Sequence, residues 1–365
     1  MINNSTSKHV NEASIGYWAS QEQYSMQRLI EFVKEAEKGG ITITMTSDHF
    51  HPWWHDGGYG NFTWVWIATA AERTKKMQFL TGVTAAVYRY NPGIIAQAFA
   101  SLDVLHPGRI SLGVGSGEAM NEVPLGFDWP AAKVRLARTT EAIQIIKKLW
   151  NEGKNRENGF VDFKGESFSI RNAKLYTPPH SDNIPLYMAA VGQEAVKIAA
   201  KYCDGLITVT KAEQSIEILD LFNKSAKDAG KDPFSLEKIA KPKICYSTDY
   251  DKAFKYIDFW RATLLEEVFN TDISDPRELE EKAKKEVSDE QLKKSNPIIT
   301  SIEDCIKPIE EYFKAGFTRV YLHSTSPEEI EFIKLFCKKY CHIFGRLYRR
   351  IRDNIVNLVW ESAEG

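Results

Sequence analysis

Two apolar rhythms alternate along this chain. Short runs rich in β-branched and aromatic residues read as strands. Each is followed by a longer stretch with apolar residues at helical spacing. Ser14–Trp18, Ile41–Thr46, Met77–Val83 and Arg109–Val114 are the first four expected strands. Pro185–Ala190, Gly205–Val209, Lys241–Ser247 and Thr318–Leu322 are the other four. Ser25 caps a first helix that stops at Gly39-Gly40, and Pro92 opens another where its missing N–H is harmless. Further helices are expected over Phe62–Arg73, Pro130–Asn151, Gln193–Cys203, Ala212–Ala229, Tyr250–Leu265 and Ile302–Ala315, with a last one from Pro327.

Two segments interrupt the rhythm. Val161–Ile170 alternates about a Lys164-Gly165-Glu166 turn, a hairpin signal. Residues 266–300 are charged and carry Asp275-Pro276 and Asn296-Pro297 breakers, which predicts a largely helical surface insertion. Eight strands alternating with helices predict an α/β fold, a (β/α)8 TIM barrel with insertions after strands four and seven. The expected domain spans residues 14–345, with tails at 1–13 and 346–365.

Composition narrows the function. Of 365 residues 43% are hydrophobic and 26% charged, and 47 basic against 49 acidic residues leave a net charge of -2. That balance argues against a nucleic-acid-binding surface. No run of about 18 apolar residues predicts a membrane span. Five cysteines without paired spacing and an N-terminus without an apolar leader fit reduced thiols in the cytoplasm. The basic run Arg346–Arg352 reads as a solvated helix face.

Barrel enzymes place their chemistry just after the strands, on one face. After strand two comes Ser47-Asp48-His49-Phe50-His51-Pro52-Trp53-Trp54-His55. A histidine there can act as a general base near neutral pH, and His49 has the best position. His49 and His51 together also permit a metal-dependent hydrolase, but such sites need more ligands on later strands. His55 reads as a solvent-bonded residue, and Trp64 and Trp66 as core. After strand four, Gly113-Val114-Gly115-Ser116-Gly117-Glu118 lacks the dinucleotide fingerprint spacing. Its glycines instead let backbone approach a flat ligand, with Glu118 beside it. Glu22 follows strand one. Ala190-Val191-Gly192 precedes a helix N-terminus, a setting that suits phosphate.

Ala19–Tyr24, the 47–55 segment, Arg89–Ala100 and Pro107–Pro124 together resemble the F420-dependent alcohol and sugar-phosphate dehydrogenases of the luciferase-like oxidoreductases. The likeness runs over residues 14–340. It implies a homodimeric barrel that binds the deazaflavin coenzyme F420 and moves a hydride between an alcohol, or its ketone, and the ring. By this resemblance His49 takes the hydroxyl proton, Glu118 serves the ring, Trp53 walls the reacting centre and Glu22 supports His49. Asp48, Asn121, Ala190, Val191 and Gly192 match cofactor contacts, and Gly82–Val83 matches a non-prolyl cis peptide behind the ring. No metal is implied, and His51 is left without a role. FMN is the less favoured cofactor; an FMN monooxygenase or a methylene-pterin reductase are alternatives on the same barrel.

Sugar-phosphate members hold their substrate with two lysines and an arginine. Lys211 matches one, but the other positions fall on Asn270 and about Ser295, with Lys293 or Lys294 nearby. A phosphate needs several charge-assisted bonds. A small uncharged secondary alcohol is therefore the expected substrate.

Overall fold

The computed structural model describes residues 13–339, apart from 267 and 270. The expected rhythm folds into a closed barrel. Helix α1 (Met26–Lys38) shows how a sequence stretch commits to its place. Ser25 accepts a hydrogen bond from the Arg28 N–H, and Leu29, Phe32, Val33 and Ala36 form one buried face. That face packs against β1 (Ser14–Ala19). The early chain continues with β2 (Ile43–Thr46), α2 (Thr63–Arg73), β3 (Gln78–Thr81), β4 (Thr84–Ala85), α3 (Pro92–Leu105) and β5 (Ile110–Gly115). The short α4 (Ala119–Glu122) and the long α5 (Ala132–Glu152) follow.

A hairpin of β6 (Val161–Lys164) and β7 (Ser169–Ala173) comes next, its turn held by the Glu141 carboxylate, which accepts from the N–H groups of Glu166, Ser167 and Phe168. Then come β8 (Leu186–Ala189), α6 (Gln193–Tyr202), β9 (Gly205–Thr208), α7 (Ile216–Asp228), β10 (Glu237–Ala240), β11 (Lys243–Tyr246) and α8 (Tyr250–Asp258). The chain proceeds through α9 (Pro276–Glu286), α10 (Asp289–Ser295), β12 (Ile298–Ile299), α11 (Ile306–Lys314) and β13 (Arg319–Ser324) to helical residues 329–339. The order β1-β2-β3-β5-β8-β9-β10-β13 is parallel throughout and closes by pairing of β13 with β1. No helix among the described residues is long and apolar enough to cross a membrane.

Two strands differ from expectation. The third is broken, with β3 and β4 both pairing with β5 on either side of the Gly82–Val83 peptide, which is cis as the resemblance implied. Close approach here depends on Gly113, where a Cβ would lie 2.0 Å from the Thr81 carbonyl oxygen. The seventh begins earlier than its apolar pattern. β10 holds the barrel position beside β9 and β13, and β11 continues beyond it. The charges of Glu237 and Lys238 conceal β10 from hydrophobic pattern reading. The fold accommodates both: Arg319 pairs with Glu237 at 2.7 Å, and Lys238 Nζ donates to the Pro233 carbonyl at 2.7 Å. Lys241 thus lies past the end of a barrel strand rather than at the start of one.

The second insertion is helical as expected, but it is more than surface. α9 buries Leu279 and Ala283 against Trp53, Trp54 and Trp260, so it roofs the segment after β2.

A buried polar clamp joins the closing strands. Tyr17 of β1 donates to Glu329 at 2.8 Å, and Ser324 of β13 donates to its other oxygen at 2.5 Å. Burial pushes the Glu329 carboxyl up to about 8, against the opposing pull of those hydrogen bonds. A raised folded-state value means the full contribution is present below the ordinary carboxyl range and is lost as pH rises through about 8. At neutral pH, holding that proton costs about 3 kcal/mol. Chemical denaturation of Glu329→Gln should show its stability relative to wild type rising by about that amount between about pH 5 and pH 8. A pH-independent difference would refute the assignment.

Candidate active site

A cavity of about 480 Å³ opens at the C-terminal ends of the strands. Glu22 after β1, His49 after β2 and Glu118 after β5 meet there. His49 Nδ1 lies 2.9 Å from Glu22 Oε1, and its Nε2 lies 3.3 Å from Glu118 Oε2. The Glu22 contact is off the N–H line, so it is an ion pair rather than an in-line hydrogen bond. Ser47 donates to the other Glu22 oxygen at 2.5 Å. Burial opposes a charge on His49, but the carboxylates of Glu118 and Glu22 outweigh it and raise the imidazole above its ordinary range. Burial would likewise raise Glu22; His49 and Ser47 bring it below the ordinary range.

Neighbouring side chains hold this trio. Asn121 donates to Glu118 Oε2 at 2.7 Å, while its carbonyl oxygen accepts the Phe50 N–H at 2.7 Å. One amide thus ties the segment after β2 to the segment after β5. Trp53 meets the His49 ring edge-on at 5.7 Å between centroids and lines the cavity. Asp48 also borders it, but its carboxylate already accepts from Thr84 at 2.7 Å and from Arg89 at 3.1 Å. Arg89 and Glu122 were not singled out from the sequence. The Arg89 N–H donates to Glu122 at 2.7 Å, and burial pushes the Glu122 carboxyl up to about 7, with Arg89 opposing.

Gly82, Val83, Gly115, Ala189, Ala190 and Val191 form a smooth wall. Gly192 is the N-cap of α6 and lies outside that lining. His51 turns elsewhere: its Nδ1 is 3.1 Å from the Ser274 carbonyl and its ring stacks on Phe50. His49 and His51 therefore do not converge on a shared metal position. Trp64 and Trp66 are buried. Asn270 and the run Arg346–Arg352 lie outside the described residues.

The cavity lining also holds two lysines that the sequence reading missed, Lys241 and Lys243. Lys241, Pro242 and Lys243 line the cavity, as do Lys211, Lys294 and Ser295. Starting strand seven at Lys241 had placed the first two lysines at the far end of the barrel. The signal that could have found them is the proline between them, which lacks an N–H for a continuous ladder.

Comparison with known proteins bears on this arrangement. The family described as luciferase-like monooxygenase matches residues 10–319. An F420-dependent glucose-6-phosphate dehydrogenase of Mycolicibacterium gilvum is 35% identical over 330 residues, covering 89% of this chain and 96% of its own. One from Rhodococcus erythropolis is equally similar, at 35% identity with the same coverage. Among solved structures, an F420-dependent secondary alcohol dehydrogenase in complex with an F420-acetone adduct superposes with a TM-score of 0.84 and 36% identity, covering 90% of this chain and 98% of that one. A coenzyme F420-dependent tetrahydromethanopterin reductase from Methanopyrus kandleri shares the fold at 20% identity and a TM-score of 0.72. The chain belongs to the luciferase-like family of oxidoreductases, among its F420-dependent alcohol and glucose-6-phosphate dehydrogenases.

Proposed function

We propose that the protein is an F420-dependent dehydrogenase that moves a hydride between the carbinol carbon of a small secondary alcohol and the deazaflavin. The observation that carries this reading is His49 held between Glu22 and Glu118 at one edge of a smooth-walled cavity. A flat ring fits that wall, where no residue from Gly82 to Val83 or from Ala189 to Val191 is larger than valine. A Cβ on Gly82 would come within 2.8 Å of Met45 and Trp18, both of which line the same space. Asp48, Asn121, Gly82, Val83, Ala190, Val191 and Gly192 are proposed to hold the cofactor.

Bound there, the deazaflavin supplies the hydride acceptor. His49 has its Nδ1 against Glu22, which leaves Nε2 to take the hydroxyl proton as a general base. Glu118, oriented by Asn121, is proposed to serve the ring from the side of the cavity it shares with His49. Trp53, packed under the α9 roof, keeps water from the reacting carbon. A sugar phosphate is disfavoured because Ser295, which lines the cavity where the resemblance expects an arginine, adds no charge.

Titration with oxidised F420 should quench its fluorescence saturably, and loss of F420 absorbance should follow when a secondary alcohol is added. Tight binding of FMN instead, with oxygen uptake, would refute the cofactor assignment. We also propose a homodimer, because Val65 of α2 and Ile94, Val104 and Leu105 of α3 are exposed apolar residues on adjoining segments. Light scattering should give twice the chain mass of 41.6 kDa.

A further inference from the structure

Lys241 and Lys243 stand on one extended stretch, two residues apart, so both side chains leave on the same side. That side is the cavity. Lys241 Nζ lies 4.1 Å from the Trp18 ring centre. Lys243 Nζ lies 5.0 Å from that of Trp260 and donates to Thr263 at 2.6 Å. Neither forms a contact ion pair with a carboxylate among the described residues; Glu22 and Glu118 act on Lys241 only through space. Burial drives Lys241 down to about 8 and Lys243 well below the ordinary lysine range, and the neighbouring Lys241 cation lowers Lys243 further. Two lysines that line the cavity without a contact carboxylate leave a place there for an anion. A neutral alcohol supplies none.

The rings beside the lysines set where the anion sits. Trp18 abuts the place a Gly82 Cβ would take, and Trp260 packs in one cluster with Trp53, which meets His49 edge-on. Resting on the dehydrogenase reading above, we infer that the alcohol oxidised here carries a carboxylate beside its carbinol carbon, held by Lys241 and Lys243. The substrate is thus a 2-hydroxy acid and the product a 2-oxo acid. The carbinol C–H bond breaks with its electron pair leaving as hydride to oxidised F420. The O–H proton passes to His49 as the C=O bond forms, and the carboxylate is unchanged.

The test compares lactate, propan-2-ol and glucose 6-phosphate as substrates of the F420-loaded protein, in wild type, Lys241→Met, Lys243→Met and the charge-keeping Lys241→Arg. Calorimetry of oxamate, an unreactive carboxylate, accompanies it. The ratio of kcat/KM for lactate over propan-2-ol should fall about 10- to 100-fold in each methionine variant, as expected for losing a charge-assisted bond, and should recover in part with arginine. Oxamate binding should weaken alongside. An unchanged ratio, with lactate and propan-2-ol falling together, would mean the lysines only balance Glu22 and Glu118, and would overturn the inference. So would a preference for glucose 6-phosphate, which would place the anion farther from the carbinol. If no alcohol reacts at all, the dehydrogenase reading fails by itself. Oxamate then still decides: lysine-dependent binding upholds the carboxylate site, and lysine-independent binding or none rejects it.

Discussion

Replacing His49 with alanine should lower alcohol-dependent reduction of F420 by about 10²- to 10⁴-fold, the usual weight of a general base, while F420 still binds. The reason lies in the ring's surroundings. Glu22 holds Nδ1, so the imidazole presents one nitrogen to the cavity in a fixed orientation. Alanine removes the imidazole that touches both Glu22 and Glu118 and leaves those two carboxylates without it. Their repulsion should raise the pKa of one of them. Steady-state kinetics with a saturating alcohol checks this directly, and turnover within about twofold of wild type would remove His49 from the mechanism.

Replacing Glu118 with glutamine should act in two ways. Turnover should fall by about 10²-fold or more, because preorganised charge at a reacting ring is worth several kcal/mol. The pH profile should also move. In the oxidising direction His49 must be neutral to accept a proton, so kcat/KM rises with pH through its pKa. Burial depresses that pKa, but Glu118 and Glu22 raise it above the ordinary histidine range. Glutamine removes one of the two raising charges, so the acidic limb should shift to lower pH. Rate against pH for wild type and Glu118→Gln reads both effects. A rate loss with an unmoved limb would leave Glu118 a role at the ring but deny its influence on His49. Asn121 donates its amide to Glu118, so Asn121→Ala should produce a weaker version of the same shift.

Much of this was legible in the sequence because it is local. The alternation of short and long apolar periods needs only a window of residues, and it yields eight strands and their helices. The segment Asp48–Trp53 stood out because histidine, acid and tryptophan follow a β-branched strand directly. Non-local charge pairing was illegible. β10 begins with Glu237 and Lys238; Glu237 becomes acceptable in a strand because Arg319 waits for it across the fold, and Lys238 because its Nζ turns back to the nearby Pro233 carbonyl. The miss propagated: a strand begun one segment late carried Lys241 and Lys243 to the wrong end of the barrel, so they were not weighed when the substrate was expected to be uncharged. The Asp48–Thr84–Arg89 and Arg89–Glu122 links stayed hidden for the same reason, since their members lie 33 to 41 residues apart.

The break at Pro242 also separates two kinds of inheritance. Residues proposed for proton and hydride transfer are carried by β1, β2 and β5, whereas the lysines sit at an interruption between β10 and β11. An interruption tolerates exchange better than a strand interior, because fewer ladder hydrogen bonds constrain it. A lineage could therefore swap the three residues Lys241 to Lys243 and acquire a new clientele while leaving its redox apparatus untouched. The same short stretch is where a protein engineer would graft a different appetite onto this barrel.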